Sequence, residues 1–216
     1  AIEELQARGV DLASIEAVFR RSLFELRTPF LRVPLVMSRR FWSLALAYTG
    51  DPLIGLAAGR RFVSTTTNGL TYLFDVAASL ESACHYFVEY FPFFNGHFRA
   101  CIERSEQRIT LRLNDCGSLK ASAPITDYIL TSLLSMLRRK LLASGVEQDP
   151  ILAISLAHPA PANTAAHPQA WRAPVSWGHG EHGIELDPRL FSQPLTPGNQ
   201  ALEQMLVALV QQTQHN

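Results

Sequence analysis

The chain has 216 residues, 47% hydrophobic and 18% charged, the composition of a folded chain able to bury a core and not of a disordered one. Its 19 Lys and Arg equal its 19 Asp and Glu, with 12 basic against 11 acidic groups up to residue 108 and 7 against 8 beyond, so the cationic surplus that phosphate neutralisation needs is absent. No apolar run approaches the roughly 20 residues of a membrane-spanning helix. Three cysteines, Cys84, Cys101 and Cys116, without CxxC spacing or a secretory leader, indicate reduced thiols in a cytoplasm.

Along the chain, Ala1 in place of an initiating methionine fits a trimmed or processed start. The pairs Arg20-Arg21, Arg39-Arg40 and Arg60-Arg61 and the run Arg138-Arg139-Lys140 are scattered and read as solvated helix faces. The first clear helix is "LVMSRRFWSLALAYTG", with Gly50 in the left-handed position past its end. Asp51-Pro52 then predicts a new start, Asp as N-cap and Pro in the first turn of "LIGLAAG". Leu80, Ala83, Cys84, Phe87, Val88 and Phe91 share one stripe of a helix over 80–91, opened by Ser79 and closed by Pro92.

Beyond residue 96 the period changes to two. Phe98, Ala100 and Ile102 alternate with His97, Arg99 and Glu103, and Ile109, Leu111 and Leu113 alternate with polar residues, giving a half-buried hairpin joined through "RSEQ". Pro124 to Leu142 returns to helix, with apolar residues on more than one stripe, and "ILAISLA" follows as a strand. The Pro-, Ala- and His-rich segment from His158 to Pro168 is expected to run over the surface without a helix. "PVSW" and "IELD" are the last strands, and Asn199 to Gln214 is a final helix with Leu202, Met205, Leu206, Leu209 and Val210 on one stripe. Helices mixed with hairpins, without regular βαβ alternation, predict an α+β fold in which a helical layer packs on a small, mostly antiparallel sheet.

The chemistry-bearing patterns are few. His179 and His182 in "GHGEHG" have a spacing that could grip a metal, with Glu181 nearby and His158 and His167 distant, and that arrangement would suit a metal-dependent hydrolase. A hairpin tip, with Gly178, Gly180 and Gly183 at positive φ, is the better reading, so no metal site is assigned. No GxSxG elbow or phosphate-binding glycine pattern occurs. His85 lies beside the apolar stripe and Cys84 on it, so neither reads as a catalytic group. No catalytic residue and no cofactor is assigned. Aromatic density stands out instead: most of "HYFVEYFPFFNGHF" should fill a core, while Tyr72, Phe74, Tyr90, Phe94, Phe98 and Trp177 are candidates to line an apolar pocket between helices and sheet.

Four segments, "LQARGVD", "FWSLALAYTGDPLIGLAAG", "SLESACHYFVEYF" and "WRAPVSWGHGEHGIELDPRLFSQPL", in this order and spacing resemble the N-terminal effector-binding, arabinose-binding-like domain of AraC-type bacterial transcription regulators, over roughly Leu5 to Leu206. The resemblance implies a bacterial cytoplasmic sensor that is not an enzyme, with residues 1–216 as one effector-binding and dimerisation domain. It also implies a DNA-binding half with two helix-turn-helix units beyond Asn216, so that DNA is reached only through that half. A small-molecule effector and a homodimer follow as expected partners, with the helices 124–142 and 199–214 as possible dimer surfaces. A dimerisation module without effector is the alternative within the same frame.

Overall fold

The structure is a computed structural model that describes residues 1–26, 33–62, 70–117, 120–195 and 200–214. It opens on α1 (Ile2–Ala7) and α2 (Leu12–Phe19), two helices beyond those expected from the sequence. The signal for α2 was present: Asp11 accepts the Ala13 N–H, and Ile15 behind it is fully buried. After α3 (Leu23–Leu26), α4 (Leu35–Thr49) ends at Gly50 with φ 60°, as its sequence predicts. Asp51 Oδ1 accepts the Leu53 N–H at 2.8 Å, so Asp-Pro forms a turn and α5 (Ile54–Arg60) begins two residues later than expected.

α6 (Leu70–Val76) leads into α7 (Leu80–Phe94), where Ser79 and Ser82 form a reciprocal capping box. Pro92 does not close α7. A proline in the last turn forfeits one backbone hydrogen bond while its fixed φ remains helical, so the helix runs two residues further.

The sheet is built from β1 (Phe98–Arg104), β2 (Ile109–Asp115), β3 (Ile151–Leu156), β4 (Val175–Trp177) and β5 (His182–Leu186), in the order β1-β2-β5-β3-β4. The β1–β2 hairpin has the expected register, with Ile102 opposite Leu111. β4 and β5, however, are not a hairpin. β3 lies between them, parallel to β4 and antiparallel to β5, so "GHGEHG" arches over the end of β3. The His179 N–H donates to Leu156 O and the Gly178 N–H to His158 O, which fastens the arch to the strand it crosses. Gly178 alone of the three arch glycines has a positive φ. Gly183 sits in the sheet itself, where a Cβ would stand 2.8 Å from Ser155 Oγ on the neighbouring strand.

In-register pairs point to one side of a sheet. Phe98, Leu113, His182, Leu156 and Trp177 therefore share the face that turns to the core, whereas Arg112–Glu103 and Arg108–Glu185 ion pairs occupy the other. α7 packs on β1, and the helices stand on one side of the sheet, which is the α+β arrangement expected.

α8 (Ala123–Ala143) is the central helix. Leu130, Leu133, Leu134, Leu137 and Leu141 are all 0–1% exposed, so these stripes are used inside the chain. α5 lies against it so closely that a Cβ on Gly55 would be 2.1 Å from Pro124 O and one on Gly59 would be 2.5 Å from Thr131 Cβ. α9 (Ala166–Trp171) and α10 (Pro188–Ser192) are short. α9 corrects the expected surface excursion, because Pro168 falls in a first turn that tolerates it and Trp171 is buried. α11 (Gln200–Gln214) ends the described chain; Asn199, its expected start, lies outside the described residues.

Candidate functional site

The six candidate pocket aromatics occupy two different regions. Tyr72 is 43% exposed on α6, and Phe74, on the same helix, is fully buried. Tyr90, on α7, is buried and its hydroxyl receives a hydrogen bond from Gln211 Nε2 of α11 at 3.3 Å. Phe94 ends α7, and its side chain lies outside the described residues. Phe98 and Trp177 instead sit on the inner face of the sheet, on its two edge strands.

An open groove of about 390 Å³ runs between α7 and α11, lined by Tyr86, Glu203, Gln204, Val207, Ala208 and Gln211. None of the six candidates lines it. The Tyr86 hydroxyl donates to Glu203, and burial together with that carboxylate pushes the phenol well above its usual range.

Histidines not expected from the sequence as site residues stand beside Phe98 and Trp177. Phe98 meets the His182 ring edge-on at 5.6 Å, and His182 lies 6.0 Å from the His158 ring. The His167 ring stands edge-on to Trp171 at 4.9 Å and to Trp177 at 6.2 Å. His158 and Trp177 are joined through the strand arch, since the Gly178 N–H donates to His158 O. From α8, Asp127 accepts a hydrogen bond from His167 Nε2 at 3.0 Å, both side chains being 2% exposed, and Thr131 Oγ1 accepts the Trp171 indole N–H at 2.8 Å. Two elements therefore build the site: the end of the sheet's inner face, and the first half of α8 with α9 laid over it.

His158, His167, His182 and Trp171 each have one polar partner, yet four buried polar atoms have none: Thr126 Oγ1, His158 Nε2, His167 Nδ1 and Trp177 Nε1. Among the described residues these are the whole set of such atoms, and all four belong to this neighbourhood or to the residue beside Asp127. Buried hydrogen-bonding groups left unpaired cost roughly 1–3 kcal/mol each, so such atoms ordinarily take a partner from outside the chain, an ordered water or a ligand. One signal was legible: the histidine-rich stretch from His158 to His167 and the arch histidines stood near each other in sequence. Their shared face was not, because it depends on β3 passing between β4 and β5.

The metal grip does not assemble. His179 is exposed at the arch and bonded to Ser176 Oγ at 2.7 Å, whereas His182 is 3% exposed and its Nδ1 accepts the Ala157 N–H. Among the described residues no group of three His, Cys, Asp or Glu could hold a metal ion. Cys84 is fully buried, and desolvation pushes its thiol up to about 12, so it is inert. His85 is exposed on α7.

Burial, aided by His158 and Lys120 and opposed by Asp115, lowers His182 from 6.5 to about 4. The folded chain then refuses a proton that the unfolded chain accepts, so stability is full above pH 6.5 and declines as pH falls from 6.5 to about 4. The expected loss is on the order of 2 kcal/mol. Urea midpoints at pH 7 and pH 4.5 check it: the gap should narrow in His182→Gln, and an unchanged gap would assign the acid sensitivity to other groups.

Two comparisons bear on what this arrangement serves. The family described as "Arabinose-binding domain of AraC transcription regulator, N-term" matches residues 9–195. A solved structure, "Crystal structure of transcriptional regulator CdpR from Pseudomonas aeruginosa", is similar in fold with a TM-score of 0.61 at 18% identity, over 94% of this chain and 64% of that one. The chain thus spans about two thirds of that structure's length. No curated protein matches the chain. Among the described residues no helix is long and apolar enough to cross a membrane.

Proposed function

The chain belongs to the family of N-terminal arabinose-binding domains of AraC transcription regulators, and from that premise we propose that it is a single sensor domain which binds a small effector and catalyses no reaction. The effector site is the cluster formed by His158, His167, Trp177 and Thr126, with Phe98 and His182 beside it. The observation that carries this reading is that the buried polar atoms without a partner in the described chain are His158 Nε2, His167 Nδ1 and Trp177 Nε1, on or beside the inner end of the sheet, together with Thr126 Oγ1 on α8. Of the six aromatic candidates, Phe98 and Trp177 belong to this site; Tyr72, Phe74, Tyr90 and Phe94 belong to α6 and α7. An effector that fits one domain conformation better than another shifts their populations by its differential affinity, and the shift passes to a DNA-binding half in the bacterial cytoplasm.

The test is a thermal-shift screen of uncharged, acidic and basic small molecules on the wild type and on Trp177→Phe. A ligand at 100 times its dissociation constant adds about 2.7 kcal/mol, and that gain should shrink in the variant. A gain equal in both proteins would move the site elsewhere, and no gain from any class would favour a dimerisation module without effector.

We further propose that the chain forms a homodimer through α11. Val210 is fully buried and Leu206 and Val207 pack on the core, but Leu202, Met205 and Leu209 are 40%, 70% and 45% exposed. Their i, i+3, i+7 spacing is that of a helix–helix seam, and so large an apolar strip is suited to a second copy. Met205→Glu with Leu209→Glu should lower the sedimentation coefficient from dimer to monomer while leaving the circular dichroism unchanged. A variant that sediments as the wild type does would exclude this surface.

A further inference from the structure

Among the described residues β1 ends the sheet, with β2 on one side of it and no strand on the other. Two bonds at the ends of the hairpin show which way its backbone groups point. The Cys116 N–H donates to His97 O at 2.8 Å and the Ser105 N–H to Arg108 O at 2.9 Å. In an antiparallel pair, residues bonded across alternate with residues whose groups point away. His97 and Ser105 bond toward β2, so Arg99, Cys101 and Glu103 do as well. Ala100 and Ile102 therefore aim their N–H and C=O groups off the sheet. Among the described residues no hydrogen bond reaches these two residues from outside β2, and their side chains, though turned to the core, are only half-buried.

An open edge pairs with another strand unless something blocks it, and charged side chains are the ordinary block. Arg104 is occupied elsewhere, bonded to Glu81 with its guanidinium over the Phe191 ring. Arg99 and Glu103 remain, exposed on the outer face and placed symmetrically about Cys101 with opposite signs. When the β1 of a second copy is laid antiparallel with Cys101 opposite Cys101, Arg99 of each copy faces Glu103 of the other. A slide of two residues loses both pairs, and a slide of one turns core side chains outward. Charges that repel a foreign strand thus select one register of the chain's own.

The same register sets Ala100 opposite Ile102, the residues whose backbone groups point outward, so each pair exchanges N–H and C=O. Cys101 and the Arg99–Glu103 pairs then fall between bonded pairs, where Cα atoms approach to about 4.5 Å and side chains interact most closely. Glu103 already accepts from Arg112 Nε at 2.6 Å and would stand between two guanidinium groups.

We infer that a second copy of this chain docks antiparallel on β1, with Cys101 at the two-fold axis, so that two five-stranded sheets run on as one. The contact does not depend on where the effector binds. It is separate from α11 and offers less apolar surface, Ala100 and Ile102 against Leu202, Met205 and Leu209, so it is the weaker of the two and joins α11 dimers at raised concentration.

Cys101 is the reporter, because a separation of about 4.5 Å lies within the roughly 4.4–6.8 Å that a disulfide spans. Cys84 is fully buried, and Cys116→Ser removes the other thiol. Diamide, which takes up the two thiol hydrogens, should link two copies through Cys101 in a yield that rises with protein concentration. Arg99→Glu sets like charges opposite each other and should lower that yield several-fold, and adding Glu103→Arg should restore it. Sedimentation equilibrium of the reduced protein is the second readout. The wild type should gain mass beyond the dimer at high concentration, Met205→Glu with Leu209→Glu should pass from monomer to dimer over the same range, and Arg99→Glu should remove the step from both. A wild type that shows only a monomer-to-dimer step, still lost in Arg99→Glu, would remove the α11 contact and support this one. Cross-linking equal in Arg99→Glu and its parent, or a step indifferent to Arg99, would make β1 a blocked edge and overturn the inference.

Discussion

Gly55→Ala is expected to destabilise the chain by on the order of 3 kcal/mol, a large part of the roughly 5–15 kcal/mol that holds a domain together. The added methyl would stand 2.1 Å from Pro124 O and 2.7 Å from Pro124 Cα, and backbone atoms at the start of α8 cannot rotate out of its way. Relief requires α5 to move off α8, which opens the contact between Ile54, Leu56 and Ala58 on one side and the buried leucines of α8 on the other. Gly59→Ala meets Thr131 Cβ at 2.5 Å, and Thr131 Oγ1 is the acceptor of the Trp171 indole, so this second variant should disturb the near-ultraviolet signal of the site as well as stability. Gly180→Ala is the control: nothing lies within 4 Å of its Cβ and its φ is not positive, so its urea midpoint should stay within about 0.5 kcal/mol of the wild type. A Gly55→Ala midpoint equal to the control's would mean that the two helices do not cross at these glycines.

That crossing illustrates which parts of the molecule could be read from residue order. "TGDPLIGLAAG" announced its own helix end and turn, because Gly50 and Asp51 act on the backbone of their immediate neighbours. The β1–β2 hairpin was legible for the same reason, since alternation and a short connection determine its register locally. The close approach of Gly55 and Gly59 to α8 was not, because the partner residues lie some 70 positions away and small residues in a helix carry no address. The site suffered most from this. Phe98 and Trp177 were legible by their rings, but His158 and His167 lie in a segment where Pro168 argues against a helix that in fact begins just before it, and Asp127, on a helix that was legible, carries no sign of its partner on α9. The strand insertion that lines up His158, His182 and Trp177 is a topological fact, and period-two patterns in β3, β4 and β5 look the same whether or not β3 stands between the others.

Asp127→Ala should cost about 3 kcal/mol or more, because it strips the single partner from an imidazole that has no other. In the wild type the carboxylate fixes which nitrogen of His167 carries the hydrogen and aims the ring at Trp177; both side chains are 2% exposed, so water cannot readily replace either. Asp127→Asn keeps an accepting oxygen at nearly the same place and should lose only about 1 kcal/mol, the difference between a charged and a neutral acceptor. The double variant Asp127→Leu with His167→Phe removes donor and acceptor together and should be more stable than Asp127→Ala alone, since no polar atom is then left stranded. These three midpoints separate two meanings of a buried pair. If the double variant recovers stability but loses the ligand-induced thermal shift, the pair is maintained for recognition and the fold merely accommodates it. If the double variant is less stable than Asp127→Ala, the pair is a structural tie between α8 and α9, and the lone pair on His167 Nδ1 is a by-product of that tie.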